Sequence, residues 1–200
     1  MRKYIETALP LTEINEAAMR EKAGKPGHPA NLHMWWGRSP EASSLAALSA
    51  AVLDFTTENY ENDLELIGKT ASGDKEAMEA VCNRLKESGS LPTVWDAFSG
   101  FGGIPIAAQR LGLNAVANDL NPVAAMLTMA AVDIPARFAG HLPVHPGKAK
   151  YATYTGAQGL AEDVQFYGEW LENQALKLVA DAYPQTESGE IPFAWIWVRT

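Results

Sequence analysis

In the first part of the chain, the pattern of hydrophobic and polar positions predicts helices joined by polar turns. Apolar side chains at helical spacing over residues 12–20 predict a short amphipathic helix. Ser39 is a favourable N-cap and a proline follows it, so the small-residue run over 40–53 predicts a well-buried helix. A polar stretch at 56–63 and a further capped helix from about 72 to 86 are expected next.

From residue 91 the pattern changes to short apolar strands that alternate with helices. The segment Thr93–Asp96 predicts a strand, and residues 104–111 predict the helix after it, with a glycine as its C-cap. Asn114–Asp119 predicts a second strand, and Asn121 with Pro122 starts another helix. Strand and helix in alternation are typical of a parallel α/β sheet.

The last third of the chain begins with a proline-rich and glycine-rich stretch over residues 135–159. It predicts a surface excursion in which His141 and His145 are solvated. A long helix is expected over 161–183, and residues 193–198, rich in tryptophan, predict a strand. One helical face carries apolar residues that we expect in the core: Val164, Tyr167, Leu171, Ala175 and Leu178.

These patterns divide the chain into three regions. Residues 1–90 form a mainly helical N-terminal region, and residues 91–134 form the first βαβα unit of a doubly wound sheet. Residues 135–200 contain the surface excursion, the long helix and the terminal strand. The predicted class is α/β, with an incomplete sheet.

Composition and charge limit the possible functions. A chain of 200 residues with 47% hydrophobic content has enough material for a globular core. The net charge of −8 argues against strong binding of phosphate backbones, which depends on clustered Lys and Arg. With Cys82 as its single cysteine, the sequence has no disulfide framework and no zinc-type spacing, so we expect no metal site. No apolar run of about 18 residues occurs, and the start of the chain lacks the apolar core of a signal peptide, so we expect no membrane contact and a cytoplasmic location.

The candidate chemistry lies in the glycine-rich turn after the first strand, where Asp96-Ala97-Phe98-Ser99-Gly100-Phe101-Gly102-Gly103 leads into a helix. Glycines allow backbone to approach a ligand closely, and a helix start offers unpaired N–H groups. The second strand ends in Asp119, where an acid can bind ribose hydroxyls. Pro105 stands where a dinucleotide motif has its third glycine, which weakens a nicotinamide or flavin site. The loop instead resembles that of S-adenosylmethionine-dependent methyltransferases, usually Asp-Pro-Phe-x-Gly-x-Gly.

A wider set of segments resembles the large bacterial adenine-specific DNA methylases that carry a zinc-ribbon insert. The segments are Ile5–Asn15, Leu32–Pro40, Asp96–Pro105, Ala117–Ala124 and Gly159–Trp170. The first two are similar to that family's uncharacterised N-terminal domain, and the last to the region before its zinc ribbon. The resemblance implies an incomplete Rossmann-like methyltransferase fold, with S-adenosylmethionine as cofactor and DNA as the partner of the intact protein.

The resemblance also assigns roles to individual residues. It implies that the loop surrounds the methionine portion of the cofactor, that Asp119 accepts hydrogen bonds from the ribose, and that Leu120 packs on the adenine ring. Ala97 departs from the usual proline. A structural alternative for Asp119 is a turn that leads into the helix cap. The expected cofactor-binding residues are Asp96, Phe98, Ser99, Gly100, Gly102, Asp119, Leu120 and Asn121.

Trp35, Trp36 and Arg38 form a second group of interest. Paired tryptophans beside an arginine can stack on a base, close over a cofactor or fill a core, and all three possibilities remain open. The three residues are candidate contacts for the cofactor or for DNA.

No catalytic residue is assigned, because the chain lacks the Asp/Asn/Ser-Pro-Pro-Tyr/Phe element of amino-group methyltransferases. Asn121-Pro122-Val123-Ala124 lacks both the second proline and the aromatic residue. We therefore expect a cofactor-binding portion of a DNA adenine-N6 methyltransferase that is inactive alone and binds DNA weakly or not at all. Alternatives are part of an RNA- or protein-modifying methyltransferase, or a non-catalytic interaction module of a defence or restriction-modification assembly.

The predicted sheet is incomplete, because the neighbour of the first strand on its far side is expected beyond Thr200. An unpaired strand edge promotes pairing between chains. We therefore expect the purified chain to self-associate, with a mass in light scattering that rises with concentration. A monodisperse monomer over the whole concentration range contradicts this expectation.

Overall fold

The computed structural model describes residues 2–22, 31–89, 91–179 and 182. The chain forms two compact units, Met1–Ile134 and Pro135–Thr200. The expected strand at 193–198 lies outside the described residues.

In the first unit, four helices precede the first strand. They are α1 (Leu11–Lys22), α2 (Glu41–Val52), α3 (Tyr60–Ala71) and α4 (Lys75–Glu87), and a 3-10 turn at Tyr4–Glu6 comes before them. The cap of α2 differs from the prediction, because the N-cap residue is Pro40, whose side chain cannot accept a hydrogen bond from the helix. The cap of α4 is Asp74, whose carboxylate accepts a hydrogen bond from the Ala77 N–H.

Helix α3 was not predicted from the sequence. The polar segment 56–63 overlaps its first turn, and the helix carries charged side chains on its outer face. Its inner face is nevertheless buried, since Ile67 and Thr70 are fully inaccessible to solvent. A helix with a narrow apolar stripe depends on its neighbours for stability, so local composition understates it.

The core of the first unit is built around α2, which packs against α1, α3 and the helix that follows the first strand. Small residues along α2 allow this close approach on several sides. The helices before residue 90 and the strand region share one hydrophobic core. Its fully or almost fully buried side chains include Tyr4, Leu45, Ala50, Ile67, Val81 and Leu111.

The strand region is a parallel βαβ unit. Strand β1 (Thr93–Asp96) is followed by α5 (Gly103–Arg110) and by β2 (Asn114–Ala117), which pairs with β1. Val94 packs against the core, whereas Trp95 and its register partner Val116 are exposed. Among the described residues, each strand has one edge without a partner.

After β2, helix α6 (Pro122–Thr128) continues through a π-helical turn at Met129–Asp133 into α7 (Ile134–Arg137). Pro135 lies inside this run, although the sequence predicts that a surface excursion starts there. Because proline has no N–H and its ring collides with the preceding turn, an ordinary α-helix is broken at this point. The wider turn, in which the Ile134 N–H donates to the Met129 carbonyl, accommodates it.

In the second unit, helix α8 (Gln158–Val179) packs against the preceding loop through Gly159 and Glu162. The prediction that its apolar face is in the core is wrong in this structure. The residues of that face are exposed: Val164, Tyr167, Leu171, Ala175 and Leu178. Helical spacing identifies an apolar face but does not identify what covers it.

A buried polar network fixes the loop of the second unit. Glu162 accepts hydrogen bonds from the Tyr154 hydroxyl at 2.7 Å and from the Lys150 N–H, and its other partner is His145 Nε2 at 2.9 Å. Since His145 Nδ1 accepts from the Gly147 N–H, Nε2 is the ring nitrogen that donates to Glu162. His141 is exposed, but the expectation that His145 is solvated is wrong, because its side chain is buried.

No helix in the described part of the chain is both long enough and apolar enough to cross a membrane.

The position of α2 predicts the effect of a core mutation. Replacing Leu45, which is 1% exposed, by alanine leaves a cavity and lowers the free energy of unfolding by about 2–5 kcal/mol. Leu11→Ala is the matched control, since Leu11 is 62% exposed and its loss changes stability by about 0.5 kcal/mol or less. Urea unfolding of both variants measures the difference. Equal effects would contradict the central place of α2.

Candidate functional site

The candidate site lies where the two parallel strands end. Asp96 and Ala117 are register partners at the carboxyl ends of β1 and β2, so the segments after them start side by side. Two backbone hydrogen bonds extend the pairing, from the Asn118 N–H to the Asp96 carbonyl at 2.8 Å and from the Ser99 N–H to the Asn118 carbonyl at 2.9 Å. The glycine loop and the segment that contains Asp119 are thereby held together.

Asp119 connects the two segments through its carboxylate. Its Oδ2 accepts a hydrogen bond from the Gly100 N–H at 2.7 Å, and its Oδ1 accepts one from the Asn121 N–H at 2.8 Å. The second bond closes a turn that leads into the cap of α6, which is the structural alternative for this residue in the sequence analysis. The first bond is not local, since it joins the loop after β1 to the end of β2. Asp119 therefore has a structural role that its position in the sequence alone does not reveal.

These bonds affect the acidity of Asp119. The N–H groups of Asn121 and Gly100 stabilise the charged carboxylate, and they lower the pKa of Asp119 below its ordinary value. The side chain is an anion at neutral pH. Each carboxylate oxygen also keeps acceptor capacity, because it has two lone pairs and receives one of these two hydrogen bonds.

Hydrogen bonds to neighbouring side chains order the rest of the backbone at the strand ends. Asp96 Oδ1 accepts from the Phe98 N–H at 3.2 Å, and Asn121 Oδ1 accepts from the Val123 N–H at 2.9 Å. Asn121 is thus the N-cap of α6, as the sequence predicts. Asn118 Oδ1 accepts from Trp95 Nε1 at 3.1 Å.

The two motif glycines adopt left-handed backbone conformations, with φ of 51° at Gly100 and 92° at Gly102. A side chain at either position also meets another residue. A Cβ added to Gly100 lies 2.8 Å from Trp35 Nε1, and one added to Gly102 lies 3.0 Å from Thr128 Oγ1. Both glycines are therefore required by the conformation of the turn and by the packing of protein side chains over it.

Thr128 is the residue of this site that the sequence analysis missed. Its hydroxyl donates to the Gly100 carbonyl at 3.2 Å and is 3.2 Å from the Ser99 hydroxyl. Ser99 and Thr128 are both buried. The signal in the sequence is a polar residue on the buried face of α6, beside Ala124 and Leu127, because a buried hydroxyl requires a partner.

Two apolar side chains of the site are almost fully exposed. Phe98 is 86% exposed and Leu120, directly after Asp119, is 95% exposed. Exposed apolar side chains near an anionic acceptor offer a surface for a ring that carries polar substituents.

The second group of predicted residues is divided in the structure. Trp35 packs against the cluster of Phe101, Ile106 and Leu127 and covers the loop, while Trp36 is 78% exposed. The two rings are 6.0 Å apart and tilted.

Arg38 forms an ion pair with Glu21, at 3.0 Å between Nη1 and Oε1. The other oxygen of Glu21 accepts from the Ala42 N–H at the start of α2. Glu21 thus connects the end of α1 to the start of α2 and also holds Arg38, and this ion pair reduces the availability of Arg38 as a contact for DNA.

The fold and the site together define a class of protein in which a parallel βαβ unit has a glycine loop after the first strand and an acid at the end of the second. A family described as "Protein of unknown function (DUF1156)" matches residues 8–79. This match covers less than half of the chain and ends before the glycine loop. No curated protein and no solved structure was found to match the chain.

The contacts of Asp119 predict a pH dependence. Because the pKa of Asp119 is lowered in the folded state, its contribution to stability is present above the unfolded pKa and is lost as the pH falls through the folded pKa. We expect the amide resonances of Gly100 and Asn121 to titrate in NMR spectra with an inflection below pH 3.8, the ordinary pKa of an aspartate. Asp119→Asn removes that inflection. An inflection at or above 3.8 in the wild type contradicts the assigned bonds.

Proposed function

We propose that this chain binds S-adenosylmethionine at the glycine loop and is the cofactor-binding portion of a cytoplasmic DNA adenine-N6 methyltransferase. The observation that carries the proposal is the bridge from Asp119 to the Gly100 N–H, which unites the loop and the acid at one edge of a parallel βαβ unit. We further propose that this unit is the start of a Rossmann-like sheet.

The residues fit the cofactor in three respects. Asp119 is anionic and keeps acceptor capacity for ribose hydroxyls. The exposed Leu120, which directly follows Asp119, and the exposed Phe98 of the loop provide apolar surface for an adenine ring. Gly100 and Gly102 form the tight left-handed turn of the loop, on which Trp35 and Thr128 pack from the protein side. Bound S-adenosylmethionine supplies an electrophilic methyl group.

The roles of the remaining residues follow from their contacts. Asp96 and Asn121 order the backbone on either side of the site through their cap bonds, and Ser99 is buried beneath the loop. These residues bind and orient; none is assigned to proton transfer. The choice of DNA adenine as the substrate of the intact protein rests on the resemblance of the loop and its flanking segments, and the chain's charge of −8 adds no support for DNA binding by this portion.

Calorimetric titration with S-adenosylmethionine tests the proposal. We expect saturable heat for the wild type and binding weakened by about tenfold or more for Asp119→Ala, because a charged hydrogen-bond acceptor is lost. Asp74→Ala is the matched control, since Asp74 also accepts a backbone N–H bond but caps α4. This control should bind like the wild type.

The same titrations separate the alternatives. NAD in place of S-adenosylmethionine tests the dinucleotide site that Pro105 argues against, and saturable heat with NAD alone contradicts the proposal. No heat with either ligand supports the non-catalytic interaction module for this chain.

A further inference from the structure

We propose that Thr128 is a positioning residue that holds the glycine loop in its ligand-binding conformation. This inference rests on the proposed function for the identity of the ligand, but not for the geometry. Thr128 contacts three residues of the loop: Ser99, Gly100 and Gly102. No other side chain in the described residues forms hydrogen bonds to the loop from α6.

The two hydroxyls have defined roles. A hydroxyl has one hydrogen to donate, and Thr128 donates it to the Gly100 carbonyl. The Ser99 hydroxyl therefore donates to Thr128 Oγ1, 3.2 Å away, which gives a chain from Ser99 through Thr128 to Gly100. Since Ser99 and Thr128 are buried, loss of either hydroxyl leaves a polar group without its partner.

The bond to Gly100 also sets the direction of the next amide. The peptide between Gly100 and Phe101 is trans, so its carbonyl and its N–H point in opposite directions. Because Thr128 holds the carbonyl, the Phe101 N–H is directed away from Thr128. Over Phe98–Gly102, within the described structure, every other amide donates to an acceptor in the protein. The Phe101 N–H is the remaining amide of this segment, and Phe101 itself is buried, with 4% of its surface exposed.

Packing adds to the hydrogen bonds. The position that a side chain of Gly102 would take is filled by Thr128, whose Oγ1 and Cγ2 lie 3.0 Å and 3.3 Å from an added Cβ. Thr128 is also the last residue of α6 before the π-helical turn. Helix α6 therefore carries two groups that fix the site, Asn121 at its N-terminal end and Thr128 at its C-terminal end.

The test compares Thr128→Val, which keeps the shape and removes the hydroxyl, with Thr128→Ser, which keeps the hydroxyl. We expect Thr128→Val to weaken S-adenosylmethionine binding about tenfold and to lower the exchange protection of the Gly100 and Gly102 amides by a similar factor. Thr128→Ser should stay within about threefold of the wild type in both measurements. Thr70→Val is the matched control, because Thr70 is a buried threonine in α3 whose hydroxyl donates to the Ile67 carbonyl. It should change neither measurement.

Two results overturn the proposal: wild-type binding and loop protection in Thr128→Val, or equal losses in Thr128→Val and Thr128→Ser. If the wild type gives no heat with S-adenosylmethionine, the proposed function fails, and amide exchange alone decides the role of Thr128. If Thr128→Val does not fold, Ser99→Ala takes its place. It should lower loop protection in the same direction by about threefold, and an unchanged loop overturns the proposal.

Discussion

The arrangement of the site depends on one carboxylate, that of Asp119. It follows the second strand, yet it accepts the N–H of Gly100 in the loop after the first strand as well as the N–H of Asn121. A two-stranded sheet with four residues in each strand gives its ends little support. A charged acceptor that bridges both ends supplies that support and keeps the loop beside the helix that follows β2.

The loop is held from three directions, each by a different element. Asp119 holds the Gly100 N–H, Thr128 of α6 holds the Gly100 carbonyl, and the indole of Trp35 covers the same residue. A left-handed glycine without such contacts has wide conformational freedom, and fixing it costs entropy. An already ordered loop reduces the entropic cost of the ligand binding that we propose.

The sequence was informative where structure is local. Asn121 caps α6, the glycine turn precedes α5, and both strands lie where the apolar segments predict them, because caps, turns and short strands depend on neighbouring residues. It was less informative where structure depends on distant contacts. Helix α3 was missed. The burial of His145 was missed as well, because its partner is Glu162 of α8, seventeen positions later in the chain. The apolar face of α8 is exposed although its spacing resembles that of a core helix.

The sequence by itself determined the glycine turn, the acid after β2 and the absence of a Pro-Pro-Tyr or Pro-Pro-Phe element within these 200 residues. It also determined the order of strand, helix and strand, since periodicity and turn residues are properties of short segments. Only the tertiary structure decided that Thr128 and Trp35 pack on the loop and that Arg38 pairs with Glu21. Contacts between residues tens of positions apart depend on how helices and strands pack, and no local pattern specifies that packing.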